Sequence, residues 1–389
     1  MLSAPTLKRF VRSASGFSLI EILVGMVIAM IGILVMTQVF SNSEGQKRTT
    51  TGSNDAQNSG AIALFGLQRE MREAGWGTSD PKILGCDVLL RTGLTLAAMA
   101  PVTINHPLIP AAIADANTDT LLVVYGTTLQ SPEGDGITAQ PSANAYAVQT
   151  PTSFQVNDRV IAMPQARPNP CSGTGALALD KVTAVANPNV TVTTGVAGMA
   201  NGTLFNFGTS LIVSAYAVRS GKLTRCDLMD ATVDCTSTSA SAIATSWLPI
   251  ADNIVALKAQ YGRDTRTSIS SPSFSVVSSY DNLTPGSAAD LAAVALAARP
   301  LVCRWARMPA VRFALVARSA QYEKDPVTDG VVAPLPTWEG QTANSPTGSA
   351  ANPIDVSATA TNWANYRYKV FQTTVPLRNI TWMGAPTGC

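Results

Sequence analysis

The sequence has one histidine in 389 residues, His106, and it stands directly before Pro107. A single imidazole excludes a metal centre built from several histidines and leaves a histidine-based catalytic triad one candidate base. In its apolar, loop-like setting that ring is expected to be a satisfied surface or turn histidine. No GxxxxGKS or GxxxxGKT run is present, so no loop of that kind holds nucleotide phosphates, and any ATP hydrolysis must come from partners. The six cysteines include no CxxC pair, the spacing used by zinc sites and thioredoxin-like redox sites. Charge is scarce as well: 13% of residues are charged, 27 basic against 25 acidic. Three of the basic residues, Lys8, Arg9 and Arg12, precede the point where the chain is expected to be cut. The remainder is close to neutral, which argues against a nucleic-acid surface.

What is abundant is apolar: 46% of residues are hydrophobic, and 389 residues suffice for one anchored domain of unusual size or two small ones. Part of the excess lies in one run, Phe17 to Phe40, FSLIEILVGMVIAMIGILVMTQVF. As a helix rising about 1.5 Å per residue it spans a bilayer core of roughly 30 Å. A cleavable secretory signal has an apolar stretch of about 7–15 residues and a small-residue cleavage site beyond it, which this run lacks. Lys8, Arg9 and Arg12 should stay in the cytoplasm, which puts everything after Phe40 on the other side. The six cysteines (Cys86, Cys171, Cys226, Cys235, Cys303 and Cys389) then read as disulfides of an oxidising compartment. Six cysteines allow about 15 complete pairings, and only Cys226 with Cys235, near enough to close a hairpin, is expected as a specific pair.

Glu21 is the departure from an ordinary anchor, because a carboxylate at the centre of a membrane helix costs about 2.5–3.5 kcal/mol. Cleavage between Gly16 and Phe17 would free an α-amino group four residues before it, one helical turn away and beside the positive end of the helix dipole. The acid would then face a cation. Gly25 and Gly32, on the same run, would permit close helix packing.

The string Gly16-Phe17-Ser18-Leu19-Ile20-Glu21, followed by about twenty apolar residues, resembles the signal of type IV prepilins. The resemblance implies that a prepilin peptidase cuts after Gly16 and methylates Phe17, and that Glu21 pairs with a neighbouring subunit's N-terminus during assembly. Further phrases are similar to PilW-type minor pilins: ALFGLQREMREAGWG (63–77), IADNIVALKAQYGRD (250–264), VRFALVARS (311–319) and YKVFQTTVPLRN (368–379). Their order along the chain agrees with that family. The implied fold is α+β and type IV pilin-like, a long N-terminal α-helix packed on a large antiparallel β-rich C-terminal domain. The implied division is a leader at 1–16, a membrane half of the helix at 17–40, a periplasmic half at 41–76, and a β-rich domain with loop insertions at 77–389.

The function so implied is that of a minor pilin, single-pass in the inner membrane with its C-terminal domain periplasmic, which passes into the pilus on assembly. Its expected partners are other minor pilins and the major pilin, the prepilin peptidase, the inner-membrane assembly platform and membrane lipid, with no nucleic acid and no cofactor. The alternatives are a type II secretion pseudopilin, which shares the N-terminus, and a pilus-tip adhesin. An enzyme is not expected.

Along the remaining chain, Gly45, Gly52 and Gly60 each cost up to about 1 kcal/mol in a helix interior relative to alanine, and a loosened stretch is expected over 41–60. Leu64, Leu67, Met71 and Ala74 then form an apolar stripe, with Arg69, Glu70, Arg72 and Glu73 around it, that should pack on the globular domain. Beyond Trp76 the pattern is that of strands: 120–125, 153–163, 181–185, 190–194, 210–219, 254–261, 310–319 and 366–377. Segments 90–118, 130–150, 267–300 and 334–360 are expected to contain long surface loops. One extended β-domain is preferred over two lobes. Asp227, Asp230 and Asp234 cluster between two cysteines, but their spacing fits no EF-hand and reads as a solvated turn. Tyr366, Arg367, Tyr368 and Lys369 read as an amphipathic strand rather than a base-stacking platform.

Overall fold

The computed structural model describes residues 16, 18–266, 276–293, 299–328, 330, 334–340, 352–383 and 389. The chain forms two compact units, Met1–Thr51 and Gly52–Cys389. One helix, α1 (Leu19–Glu73), runs through the boundary between them.

In the first unit the large apolar side chains of α1 are solvent-facing all round, from Leu19 (77% exposed) to Phe40 (78% exposed). A helix apolar on every side has no single core-facing stripe and calls for an apolar surrounding. It is long and apolar enough to cross a membrane.

In the second unit α1 becomes amphipathic. Ala56, Ala63, Leu67, Met71 and Ala74 are buried in one cluster with Leu257, Ala259, Phe313, Leu315 and Val375, and Leu64 is half-buried against it. The helix does not loosen at its glycines, because two of them are contact points. At Gly60 a Cβ would run into the Phe371 ring, and at Gly52 it would lie 3.3 Å from the Ser319 Cβ. The helical penalty of glycine is outweighed where the sheet must come this close.

The bed for α1 is a four-stranded antiparallel sheet in the order Ser279–Asp281, Ile254–Arg263, Ala310–Arg318, Tyr368–Pro376. Side chains alternate across it. Leu257, Phe313 and Leu315 face the helix, while Val255, Ala314 and Val316 face a second small core with Trp338, Ile354 and Val356. This sheet is therefore covered on both faces. The residues over its outer face belong to the 334–360 segment, whose described part includes the short antiparallel strands Thr337–Trp338 and Asn352–Pro353.

A five-stranded sheet follows the order Leu248–Asp252, Lys222–Asp227, Leu211–Arg219, Leu121–Gly126, Val102–Ile104. Between its strands Leu121–Gly126 and Leu211–Arg219, which are antiparallel neighbours with Gly126 opposite Leu211, the chain makes a six-stranded closed ring. Asp135–Ser142 pairs with Ala145–Val148, which pairs with Asn189–Val192, which pairs with Leu177–Ala186. The ring then passes through Arg159–Met163 and Thr203–Asn206 and returns to Asp135–Ser142. Its interior holds Ile137, Tyr146, Val148, Val160, Val182, Val190, Val192 and Leu204. Strand Val88–Arg91 joins Leu177–Ala186 in parallel on the outside and carries Leu94–Leu96 beyond it.

The 130–150 stretch is thus a hairpin of the barrel rather than a loop. Within 90–118 there are two short strands, Leu94–Leu96 and Val102–Ile104, and a 3-10 turn, Ala111–Ile113. The expected strand at 153–163 is confined to Arg159–Met163, because Pro151–Ser153 forms a 3-10 turn. Gly52–Cys389 is one compact unit with several cores.

Candidate functional site

Of the N-terminal constellation, Phe17 lies outside the described residues. Gly16 and Ser18 precede α1 and belong to no regular element. The helix opens where the Ser18 carbonyl accepts the N–H groups of Glu21 and Ile22 at 3.0 and 3.2 Å. Glu21 therefore lies in the first turn, where unsatisfied N–H groups and the helix dipole favour a negative charge, and its side chain is exposed. At 3.6 residues per turn Glu21, Gly25 and Gly32 share one face. A Cβ at either glycine would meet no atom within 4 Å. This face can accept a cationic group beside a closely approaching helix, and no reaction is implied by it.

The head holds three disulfides: Cys226–Cys235, Cys86–Cys171 and Cys303–Cys389. No cysteine is free, so no thiolate is available as a nucleophile. The first pair closes the turn after strand Lys222–Asp227. The other two span separations of 85 and 86 residues, and no local spacing signals them. Asp227, Asp230 and Asp234 each accept from backbone or hydroxyl groups two or three residues on. Each is the side chain of its own turn, and the described residues contain no group of three metal-binding side chains.

His106 is not a surface residue: it is 1% exposed. Its Nδ1 accepts from Leu108 N–H at 3.1 Å, which leaves Nε2–H to donate to the Ala97 carbonyl at 2.9 Å. Both nitrogens are engaged and one tautomer is fixed. Burial lowers its pKa below the ordinary 6.5, opposed by the Ala97 carbonyl and the charge of Asp87. A cleft of about 510 Å³ opens beside it, lined also by Asp87, Thr103, Leu283 and Trp305. Asp87 Oδ1 accepts from Ala98 N–H.

Sequence reasoning missed a buried ionic cluster. Arg263 grips Asp281 with two bonds of 2.7 and 2.8 Å and reaches Asp290 at 3.3 Å. Asp290 is fully buried, accepts from Gly286 N–H, and also pairs with Arg304. Arg307, 1% exposed, donates to the carbonyls of Arg266 and Cys389. Burial lowers the pKa of Arg304 and of Arg307, and neighbouring arginines add to the shift. The only available signal was the chain's shortage of charge, which says nothing about where the charges sit.

Tyr368 and Lys369 begin the last strand of the four-stranded sheet, and Tyr366 and Arg367 precede it, so the expected strand at 366–377 is confined to Tyr368–Pro376. Tyr366 carries the Arg318 guanidinium over its ring at 4.5 Å, and the Tyr368 hydroxyl donates to the Trp363 carbonyl. These contacts use the aromatic and basic groups internally.

Residues 215–379 match the family model for type IV pilus-assembly protein W, and residues 11–37 match the prokaryotic N-terminal methylation motif. No curated protein and no solved structure matches the chain. The chain carries a PilW domain and a prepilin methylation motif, and its N-terminal helix is long and apolar enough to cross a membrane; together these support a type IV pilus-related, prepilin-like protein.

Proposed function

We propose that this protein is a minor pilin that takes part in initiating and assembling a type IV pilus. In this reading a prepilin peptidase cuts after Gly16 and methylates Phe17. The helix stays in the inner membrane with the head on the periplasmic side, and Glu21 neutralises the N-terminus of an adjoining subunit. Other minor pilins, the major pilin and the inner-membrane platform are its partners, and it catalyses nothing itself. The observation that carries the reading is the methylation motif at 11–37 on the same chain as the pilus-assembly domain at 215–379.

The test is N-terminal peptide mass spectrometry on protein from its native host, with and without prepilin peptidase. A methylated Phe17 that depends on the peptidase is expected, and an uncut chain in both strains would overturn the reading. A deletion strain separates pilus from secretion system: lost pili support the minor pilin, whereas lost enzyme secretion with normal pili supports a type II pseudopilin.

A second reading, surface adhesion at the pilus tip, is favoured by one observation. The closed barrel built from residues 135–206 lies wholly outside both matched segments. Deleting barrel loops should then reduce attachment while fibres still form, and unchanged attachment would remove this reading.

A further inference from the structure

Strand Tyr368–Pro376 is the last strand of the four-stranded sheet, and nine consecutive pairs join it to Ala310–Arg318 without a bulge. The flanking bonds fix its register. Ser319 N–H donates to the Arg367 carbonyl and Leu377 N–H donates to the Pro309 carbonyl, so odd-numbered residues turn their backbone groups inward. In an antiparallel ladder the alternate residues turn theirs outward: Tyr368, Val370, Gln372, Thr374 and Pro376. The outward N–H and C=O groups of Val370, Gln372 and Thr374 have no hydrogen-bond partner among the described residues. Pro376, which has no N–H to offer, occupies one of the outward positions, where a strand tolerates proline.

Side chains define the two sides of this open edge. Phe371, Thr373 and Val375 face α1, through Gly60, through a 3.3 Å bond from Gln68, and through the shared core. Tyr368 and Val370 face the opposite side, where they pack against the second small core. A row of alternating donors and acceptors is matched by extended polypeptide and by little else.

We propose that this edge is completed by an extended strand from another subunit of the pilus assembly, which continues the sheet across the subunit boundary. The proposal rests on the pilus reading above.

The test uses the full chain, extracted from the native host in mild detergent, alone and with its co-purifying pilus subunits. The amides of Val370, Gln372 and Thr374 are expected to exchange rapidly in the isolated protein and to become protected in the complex. Thr374→Pro removes one outward N–H and no internal bond. It should leave the thermal midpoint unchanged and weaken recovery of the other subunits by about tenfold or more. Thr373→Pro, which removes an inward bond, should unfold the strand and serves as the contrast.

If the wild-type chain recovers no pilus subunit, the pilus reading fails and the edge proposal with it. If it recovers them, but the three amides stay unprotected and Thr374→Pro recovers them equally, the edge proposal alone is overturned. Protection of these amides in the isolated chain would show that a segment of its own covers the edge, and would also overturn it.

Discussion

Gly60 of α1 and the ring of Phe371 are in contact with no room for a methyl group between them. The helix therefore approaches the last strand of its sheet more closely than any residue with a Cβ allows. Gly66, six residues along the helix, has nothing within 4 Å of the same position.

This pair of glycines gives opposite predictions for one substitution. Gly66→Ala should stabilise the protein by up to about 1 kcal/mol, the helix-propensity difference. Gly60→Ala gains the same propensity but forces the ring aside, and overpacking of this kind costs about 1–3 kcal/mol. Thermal unfolding of the full chain in detergent should rise for the first variant and fall for the second. Phe371→Leu in the Gly60→Ala background should recover part of the loss.

Asp290 is held between Arg263 and Arg304 with all three side chains buried. Asp290→Ala leaves two guanidinium groups with one fewer counter-charge away from water, at a cost of about 3–5 kcal/mol. Denaturant unfolding should show this loss at neutral pH. An effect near zero would mean that water reaches the cluster.

His106 should make stability fall on mild acidification. Its folded pKa is lowered, first by burial, so below the ordinary value of 6.5 the unfolded chain binds a proton that the folded chain resists. The contribution is complete above that value and is lost as pH falls through it toward the folded pKa. The thermal midpoint of the wild type should drop between about pH 7.5 and about pH 5.5. His106→Gln should be less stable at the upper end and flatter across the range.

The disulfides should differ in worth. Cross-links stabilise by about 2–5 kcal/mol, more for longer closed loops. The separations are 9 residues for Cys226–Cys235 and 86 for Cys303–Cys389. Replacing the second pair by alanine should lower the unfolding midpoint more than replacing the first.

The parts of the fold legible in the sequence were those whose pattern is local. Leu67, Met71 and Ala74 recur at helical spacing and are buried on the sheet. Strands such as Ile254–Arg263 and Ala310–Arg318 are long runs rich in branched residues. The hairpin Asp135–Ser142 with Ala145–Val148 was read as loop because its register shifts twice and its residues include Gly136, Pro141 and Ser142, which break the period of two. Gly60 was read as a weak point in the helix because its reason is Phe371, about three hundred residues away. For the candidate site the contrast is similar: Gly16, Phe17 and Glu21 lie within one six-residue string, whereas Arg263, Asp281, Asp290 and Arg304 come together only through the fold. Cys226 and Cys235 are near neighbours, while the partners of Cys86 and Cys303 are set by topology.

The barrel is inserted where Gly126 faces Leu211, and Thr127 N–H bonds back to the Phe207 carbonyl at 2.7 Å. The chain thus departs from the five-stranded sheet and returns to it at a single joint, and beyond that joint the barrel is tied to the rest of the head by Cys86–Cys171 and by the pairing of Val88–Arg91 with Leu177–Ala186. None of the side chains that bed α1 comes from the barrel, so the helix is gripped by one part of the chain and the head is enlarged by another.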